Sequence, residues 1–527
     1  MKTSKTVTRG LMILSLVLFA ARAAAATDTA PKSPVVKAAE KAAAKTPSKV
    51  AGIRTVFLPS PSSPLCAIRL FFQVGSVDDP TGKQGLAALT SEMIGHGGSK
   101  SRSYAELLDA LYPLAAQIRV DDDKESVVFS GMVHKDNLEK FADLLAEQIL
   151  APRFAEDDFT RNRQDQLDYV TKTLRGNADE ELGKQAMATV LFKGHPYGYP
   201  TVGTVSGLGA LTLDDVKKFH ATHYTRDRLI VGVAGGYPAG FAEAFAKRFT
   251  ALPAKAPPLP KLPAPPVHKT NQLLIVEKEA RANAISIGHS LDITRKDPDF
   301  YPLTVARSYL GEHRTFNGVL MTHLRGLRGL NYGDYAYIEN FIQDGWSTFP
   351  LSNIPRRQQH FEIWLRPVPP QNSLFALRGA LYETDRLLRE GIPEAGFEAT
   401  KKFLAGYATL WTQDVSRRLG FAIDAVVTGK DLIAELQARL PKMKKADVDK
   451  AVKKHLTLDG LTIAIVAGTG TGQALADKLT GNVPTPITYD TAGTPEEVLK
   501  EDKTIEAFPI AIPKDAVKIV PTEQLFE

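Results

Sequence analysis

Two pairs of residues in this 527-residue chain stand at spacings that could set metal-ligating or proton-handling side chains on one helix face. Glu92 and His96 are four apart, and His220 and His223 are three apart. A carboxylate with an imidazole, or two imidazoles, supplies half of the four donors that zinc takes. Neither pair has an evident complement. Gly95, Gly97 and Gly98 argue that the helix under Glu92 stops before His96, and no Glu or third ligand lies near His220 and His223, which read as helix-face packing. His195, between Gly194 and Pro196, reads as a turn residue. The single cysteine, Cys66, lies in the apolar run from Leu65 to Phe72; it cannot form an internal disulfide and reads as a small buried hydrophobe.

The elements that would position these groups fall into two halves of one plan. Strand-like Ala67 to Val74 leads to Asp79-Pro80 and a helix from Gly85; strand-like Ala284 to Ser290 leads, 218 residues on, to Asp297-Pro298 and a helix from Tyr301. Alternating strands at Ser126 to Val133 and His360 to Pro367 each precede two amphipathic helical segments, split at Pro152 and at Gly391-Ile392-Pro393. Leu213 to Gly235 and Met443 to Gly468 each pair a short amphipathic helix with an apolar strand ending in glycine. The proline-rich stretch Leu252 to Val267 fits neither helix nor central strand and separates the halves as a linker. The fold class expected is α+β, with two homologous lobes of antiparallel sheet covered by helices. The boundaries expected are a signal peptide over 1–26, a flexible lead-in over 27–50, a first lobe over 51–250, the linker over 251–268, a second lobe over 269–480, and an extension over 481–527 lying along a lobe surface.

Lys2, Lys5 and Arg9 precede the eleven-residue apolar run Leu11 to Ala21, and small residues follow, with cleavage expected near Ala23 to Ala26. That run is too short for a permanent anchor, so a periplasmic protein with no stable membrane anchor is expected. The formal charge of +6 misleads about partners, because the first 26 residues contribute four positive charges and the lead-in three more. The remaining body is close to neutral, which gives no electrostatic reason to expect nucleic acid as a partner.

Further motifs resemble one family. Val74-Gly75-Ser76, Asp79-Pro80, Gly82 and Gly85-Leu86-Ala87, then Met93 and Ser101-Arg102-Ser103-Tyr104, are similar to the opening of M16 peptidases, the group of pitrilysin, insulinase and mitochondrial processing peptidase. Gly194-His195-Pro196-Tyr197-Gly198 resembles that family's HPYG segment. Leu324-Arg325 through Arg328-Gly329-Leu330-Asn331-Tyr332 resembles its LR…RGLxY signature.

The resemblance implies a zinc site, HxxEH, on the first-lobe helix, and here the motif is degenerate. Its five positions are Ala88, Leu89, Thr90, Ser91 and Glu92, so both imidazoles and the carboxylate base are missing. The distant family ligand falls near Asp165 and Asp168; an improvised site from Glu92, His96 and Asp168 is the weaker alternative. The resemblance also assigns Arg328 and Tyr332 to substrate binding, a guanidinium fork for peptide carbonyls or a carboxylate and a phenol for a developing oxyanion. No cofactor is then expected in this chain. The function implied is a non-catalytic, substrate-binding or regulatory subunit, with zinc held by an HxxEH-bearing M16 partner and peptides as substrate. The alternatives are a stand-alone peptide-binding or scaffold protein and, last, an autonomous zinc metalloendopeptidase. Gly311 to Gly318 departs from the family's glycine-rich run, so no substrate preference carries over.

Overall fold

Continuous apolar strands, rather than alternating ones, mark the middle of each sheet. In the computed structural model, which describes residues 48–312, 317–343, 347–490 and 492–527, β3 (Leu65–Phe72) and β6 (Leu229–Gly235) are buried on both faces, as such composition demands. The expected signal peptide, its cleavage region and the lead-in up to residue 47 lie outside the described residues, as do residues 313–316 of the Gly311 to Gly318 segment. No helix among the described residues is long and apolar enough to cross a membrane.

The first sheet adds β1 (Ser48–Val50), β2 (Ile53–Pro59), β4 (Arg119–Asp122) and β5 (Val127–His134), in the order β1-β2-β6-β3-β5-β4. The helices of this half of the chain include α1 (Leu86–His96), α2 (Leu138–Leu150), α3 (Glu156–Asp168), α4 (Asp179–Leu191) and α5 (Leu213–His223). The second sheet holds β7 (Gln272–Lys278), β8 (Asn283–Leu291), β9 (Asp334–Tyr337), β10 (Gln359–Val368), β11 (Thr462–Gly468) and β12 (Val517–Pro521), in the order β12-β7-β11-β8-β10-β9. Its helices include α6 (Phe300–Leu310), α7 (Ser373–Glu390), α8 (Glu394–Leu410), α9 (Val415–Thr428), α10 (Lys445–His455) and α11 (Glu496–Glu506). Five strands of each sheet occupy matching places in matching order, so the internal repeat read from sequence is a repeat of topology.

Three expectations change. The sheets are mixed, because β2 pairs parallel with β6 and β7 parallel with β11: the first and last core strands of each lobe are joined through helices and run the same way. The lead-in is shorter than expected, since Ser48 to Val50 pair with β2 and Ser48 Oγ lies 2.7 Å from Thr55 Oγ1. The C-terminal extension is not a surface strap: β12 adds a parallel edge strand to β7, and Val520, Leu525 and Phe526 are buried in the first-lobe core. There the Arg175 Nε–H donates to Leu525 O at 2.8 Å, and the Val205 N–H donates to Phe526 O at 2.8 Å.

Each lobe lends the other a helix. α4 packs across β7, β8, β10 and β11, and α9 packs across β2, β3 and β6. Val415, Leu419 and Ile423, spaced i, i+4, i+8 on α9, bury against Val56, Ala67, Phe71, Val128, Ile230 and Ala234. At about 1.5–3 kcal/mol for each large side chain buried, this contact is a substantial part of what joins the lobes. Gly232 allows the close approach, because a Cβ there would lie 2.9 Å from Ile423 Cδ1 and 3.0 Å from Leu419 Cδ1. Polar links reinforce it: Arg69 of β3 donates to Asn353 Oδ1 at 3.0 Å and to Ser416 Oγ at 3.1 Å, and Ser126 Oγ donates to Asn353 O at 2.8 Å.

Candidate functional site

Helix α1 is set by its N-terminus. Asp79 accepts the backbone N–H of Gly85 at 2.8 Å and of Ala87 at 2.7 Å, occupying two donors that have no partner within the helix. The helix continues through His96, past the point where its glycines suggested an end. Gly95 is there for clearance: a Cβ at that position would lie 2.2 Å from Val120 Cγ2 of β4. Glu92 and His96 do face each other one turn apart, with Oε2 and Nδ1 at 2.5 Å.

Ala88, Glu92 and His96 line a hollow of about 450 Å³ with Asp165 and Tyr169. The donor set does not fit zinc. Ala88 offers no lone pair, and the Ser91 hydroxyl is buried and donates to Ala88 O at 2.8 Å. Glu92 and His96 are engaged with each other, and among the described residues no three His, Cys, Asp or Glu come close enough to hold an ion. Asp168 does not join them. It accepts from Lys172 Nζ at 2.6 Å and Gln164 Nε2 at 2.9 Å, which hold its carboxyl below the usual range, and Asp165 is the acid that reaches the hollow. From Tyr169 to Leu174 the helix widens to a π-helix, which turns Tyr169 into the same space.

Glu92, Asp122, Tyr169 and Val202 also line a larger cavity of about 870 Å³ between the lobes. Its first-lobe wall includes Lys124 and the first turn of α4, and its second-lobe wall is the face of β10 that carries His360, Glu362 and Trp364. Lys184 of α4 lies 3.3 Å from the centre of the Trp364 ring and 3.3 Å from Glu181 Oε2, a cation held between an aromatic face and a carboxylate. Burial, with Glu92, Asp123 and Asp121 nearby, pushes Asp122 up to about 7; burial and Arg356 bring Lys124 down to about 7. Trp364 Nε1 and Glu362 Oε1 have no hydrogen-bond partner among the described residues, although both residues are buried. Sequence reading passed over all of these. Only the run Asp121-Asp122-Asp123-Lys124-Glu125 after a strand offered a signal, because the charges on β10 are gathered by folding.

The other three histidines singled out in the sequence, His195, His220 and His223, are packed. His195 Nδ1 accepts the Tyr197 N–H at 3.0 Å, and burial lowers its pKa to about 4; His220, also lowered to about 4 by burial, has Nε2 3.2 Å from Ile149 O. His223 Nδ1 is 3.6 Å from Asp78 Oδ1, and the Cys66 thiol is buried and pushed up.

In the second lobe the structure separates Arg328 from Tyr332. The Arg328 side chain is wholly covered: Nε donates to Asp502 Oδ1 at 2.7 Å, Nη2 to Glu501 Oε2 at 2.7 Å and Nη1 to His323 O at 2.9 Å. The expected open guanidinium is therefore closed by α11, a contact across more than 170 residues. Tyr332 is 60% exposed, beyond the turn at Gly329 (φ 62°), and the Arg325 guanidinium lies 5.0 Å from its ring centre. Below it, Asp334 is fully buried; desolvation pushes its carboxyl up to about 7 against a bond from Asn331. Between its unfolded value near 4 and 7 the folded chain binds the extra proton, so this group's stabilising contribution falls as pH rises through that window. Asp334→Asn is expected to flatten the decline in melting temperature between pH 5 and pH 8; an unchanged slope would remove Asp334 as its source.

Residues 54–205 match the family model described as Insulinase (Peptidase family M16), and residues 210–404 match that described as Peptidase M16 inactive domain. An uncharacterized zinc protease of Mycobacterium bovis is 24% identical over 454 residues, which span 84% of this chain and 98% of that protein. One from Bacillus subtilis is 22% identical over 298 residues, 56% of this chain and 70% of the relative. The crystal structure of a peptidase M16 inactive domain from Pseudomonas fluorescens is similar with a TM-score of 0.71 at 22% identity, over 80% of this chain and 97% of that one. A chain of complex III2 from Candida albicans gives a TM-score of 0.64 at 16% identity, over 80% and 95%. At such identities the structural likeness is one of fold.

Proposed function

Since the chain belongs to the M16 peptidase family, we propose that it is a non-catalytic, peptide-holding subunit that works in the periplasm beside a zinc-bearing M16 partner. The observation that carries this reading is the state of α1: where the family's water-activating carboxylate would stand, Ser91 is buried with its hydroxyl turned onto Ala88 O. A serine so placed neither ligates zinc nor accepts a proton from bound water. The hydrolytic step therefore falls to the partner, and this chain supplies walls that hold an extended peptide. β4, one of the two edge strands of its sheet, ends at Asp122 on the cavity, where main-chain pairing can take up a peptide strand. Lys124, Glu362 and Trp364 line the space such a guest would fill. Likeness to a chain of a multisubunit complex supports a place in an assembly.

The purified chain is expected to hold far less than one equivalent of zinc and to leave peptides uncut, with chelator-sensitive turnover only after an HxxEH-bearing M16 chain is added. Affinity capture from the periplasm identifies that partner, and zinc is measured by elemental analysis. Chelator-sensitive hydrolysis by the isolated, protease-free chain would sink the proposal. Because both lobes of one chain wall the cavity, peptide binding without any partner is the second reading; it predicts peptide uptake and no M16 chain in the capture.

A further inference from the structure

We infer that the exposed face of α10, with the turn that leads into it, is a docking surface for anionic phospholipid head groups, on which the second lobe rests reversibly and without a stable anchor. Residues 442–454 carry six lysines against two aspartates, while the body of the chain as a whole is close to neutral, so positive charge is gathered here. The helix beneath is fixed. Val448, Ala451 and Val452 are buried in the second-lobe core, which sets the direction in which the opposite face points. On that face Lys450, Lys453 and Lys454 follow Ala446 at i+4, i+7 and i+8 and border a shallow hollow with it, and Lys442 and Lys444 are exposed on the turn before the helix. Both aspartates are committed within the fold. Asp447 Oδ2 accepts the Lys444 N–H at 2.9 Å, and Asp449 accepts the Ile392 N–H at 3.1 Å and pairs with Lys445. Lys454 pairs with Asp299 at 2.6 Å, whereas Lys442, Lys450 and Lys453 are exposed and make no ion pair among the described residues.

The residue types choose the partner. All six cations are lysines, compact charges on long flexible stems, which suit a field of mobile phosphates. No arginine in the run offers a fork fitted to a single carboxylate, and no aromatic side chain stands among the lysines to stack on a base. One helix face also meets a flat surface more readily than it encloses a small ligand. Lysines clustered on one face of a helix are drawn to anionic lipid by about fivefold in partition for each side chain near the surface, and salt screens the attraction. A chain exported behind the signal expected over 1–26 meets such head groups on the membrane it has crossed. None of these lysines lines the cavity between the lobes, so the surface is separate from the candidate site and independent of the peptide-holding reading.

Co-sedimentation of the full exported chain with vesicles tests the surface. Vesicles of about 30% phosphatidylglycerol in phosphatidylcholine should carry the protein down at about 0.05 M salt and release it at about 0.5 M, and pure phosphatidylcholine vesicles should leave it in solution. Replacing Lys442, Lys450 and Lys453 together by Gln should weaken partition on the order of a hundredfold at unchanged melting temperature, while replacing the same three by Arg keeps the charge and should keep the binding. Undiminished binding by the Gln variant overturns the assignment and moves the contact elsewhere, for example to the lead-in lysines Lys32, Lys37 and Lys41. Failure of the unaltered chain to bind the anionic vesicles at low salt overturns it as well. So does retention on immobilised polyglutamate without vesicle binding, which would make the partner an acidic protein.

Discussion

Asp424→Ala is expected to cost about 3–5 kcal/mol of unfolding free energy, the loss that follows when one partner of a buried ion pair is removed. Asp424, on α9, is 1% exposed. Its Oδ2 accepts from Arg295 Nη1 at 3.1 Å, while its Oδ1 accepts the Asn353 N–H at 2.9 Å and Asn353 Nδ2 at 3.1 Å. Asn353 sits at φ 68°, a strained conformation for a residue with a side chain, and it is the residue that Arg69 and Ser126 of the first lobe bind. Truncating Asp424 therefore leaves Arg295 with Glu339 alone and loosens the junction through which both lobes hold this loop. Asp424→Asn keeps acceptor geometry for Asn353 without the charge and should fall between. Urea unfolding of the three proteins decides it. A loss within about 0.5 kcal/mol, as for an ordinary surface substitution, would mean that the network contributes little.

Removing residues 517–527 should cost roughly 5 kcal/mol or more, from the burial of Val520, Leu525 and Phe526 alone. The pairing of β12 with β7 goes as well, and Arg175, 7% exposed, loses both Leu525 O and Glu527. Against a typical total of about 5–15 kcal/mol, the shortened chain should be mostly unfolded at moderate temperature, and calorimetry would show it. A melting temperature within a few degrees of the full chain's would show that the tail merely rests on the body.

The elements legible in the sequence were those with local causes. The alternation in β5 and β10, the helix after Asp79-Pro80 and its counterpart after Asp297-Pro298 follow from side-chain periodicity and turn chemistry, and the structure keeps them. The degenerate helix was equally plain, since Ala88 and Ser91 are what they are in any context. What the sequence could not reveal depended on distant neighbours. Gly95 read as a helix stop because Val120, the residue it makes room for, belongs to an unrecognised edge strand whose Asp121 and Asp122 mask its character. Arg328 read as a substrate ligand because Glu501 and Asp502 are remote in sequence. The continuous apolar character of β3 and β6 was visible, but its reason, a helix arriving from the other lobe, was not.

That mutual loan of helices has a consequence for biosynthesis. While the ribosome is still making the chain, the sheet completed by residue 235 keeps one greasy side bare until residues 415–428 emerge, and its core lacks Leu525 and Phe526 until some 290 residues later than that sheet. The nascent protein thus has no early stopping point at which half of it is finished, and it should depend on chaperone shielding throughout its synthesis.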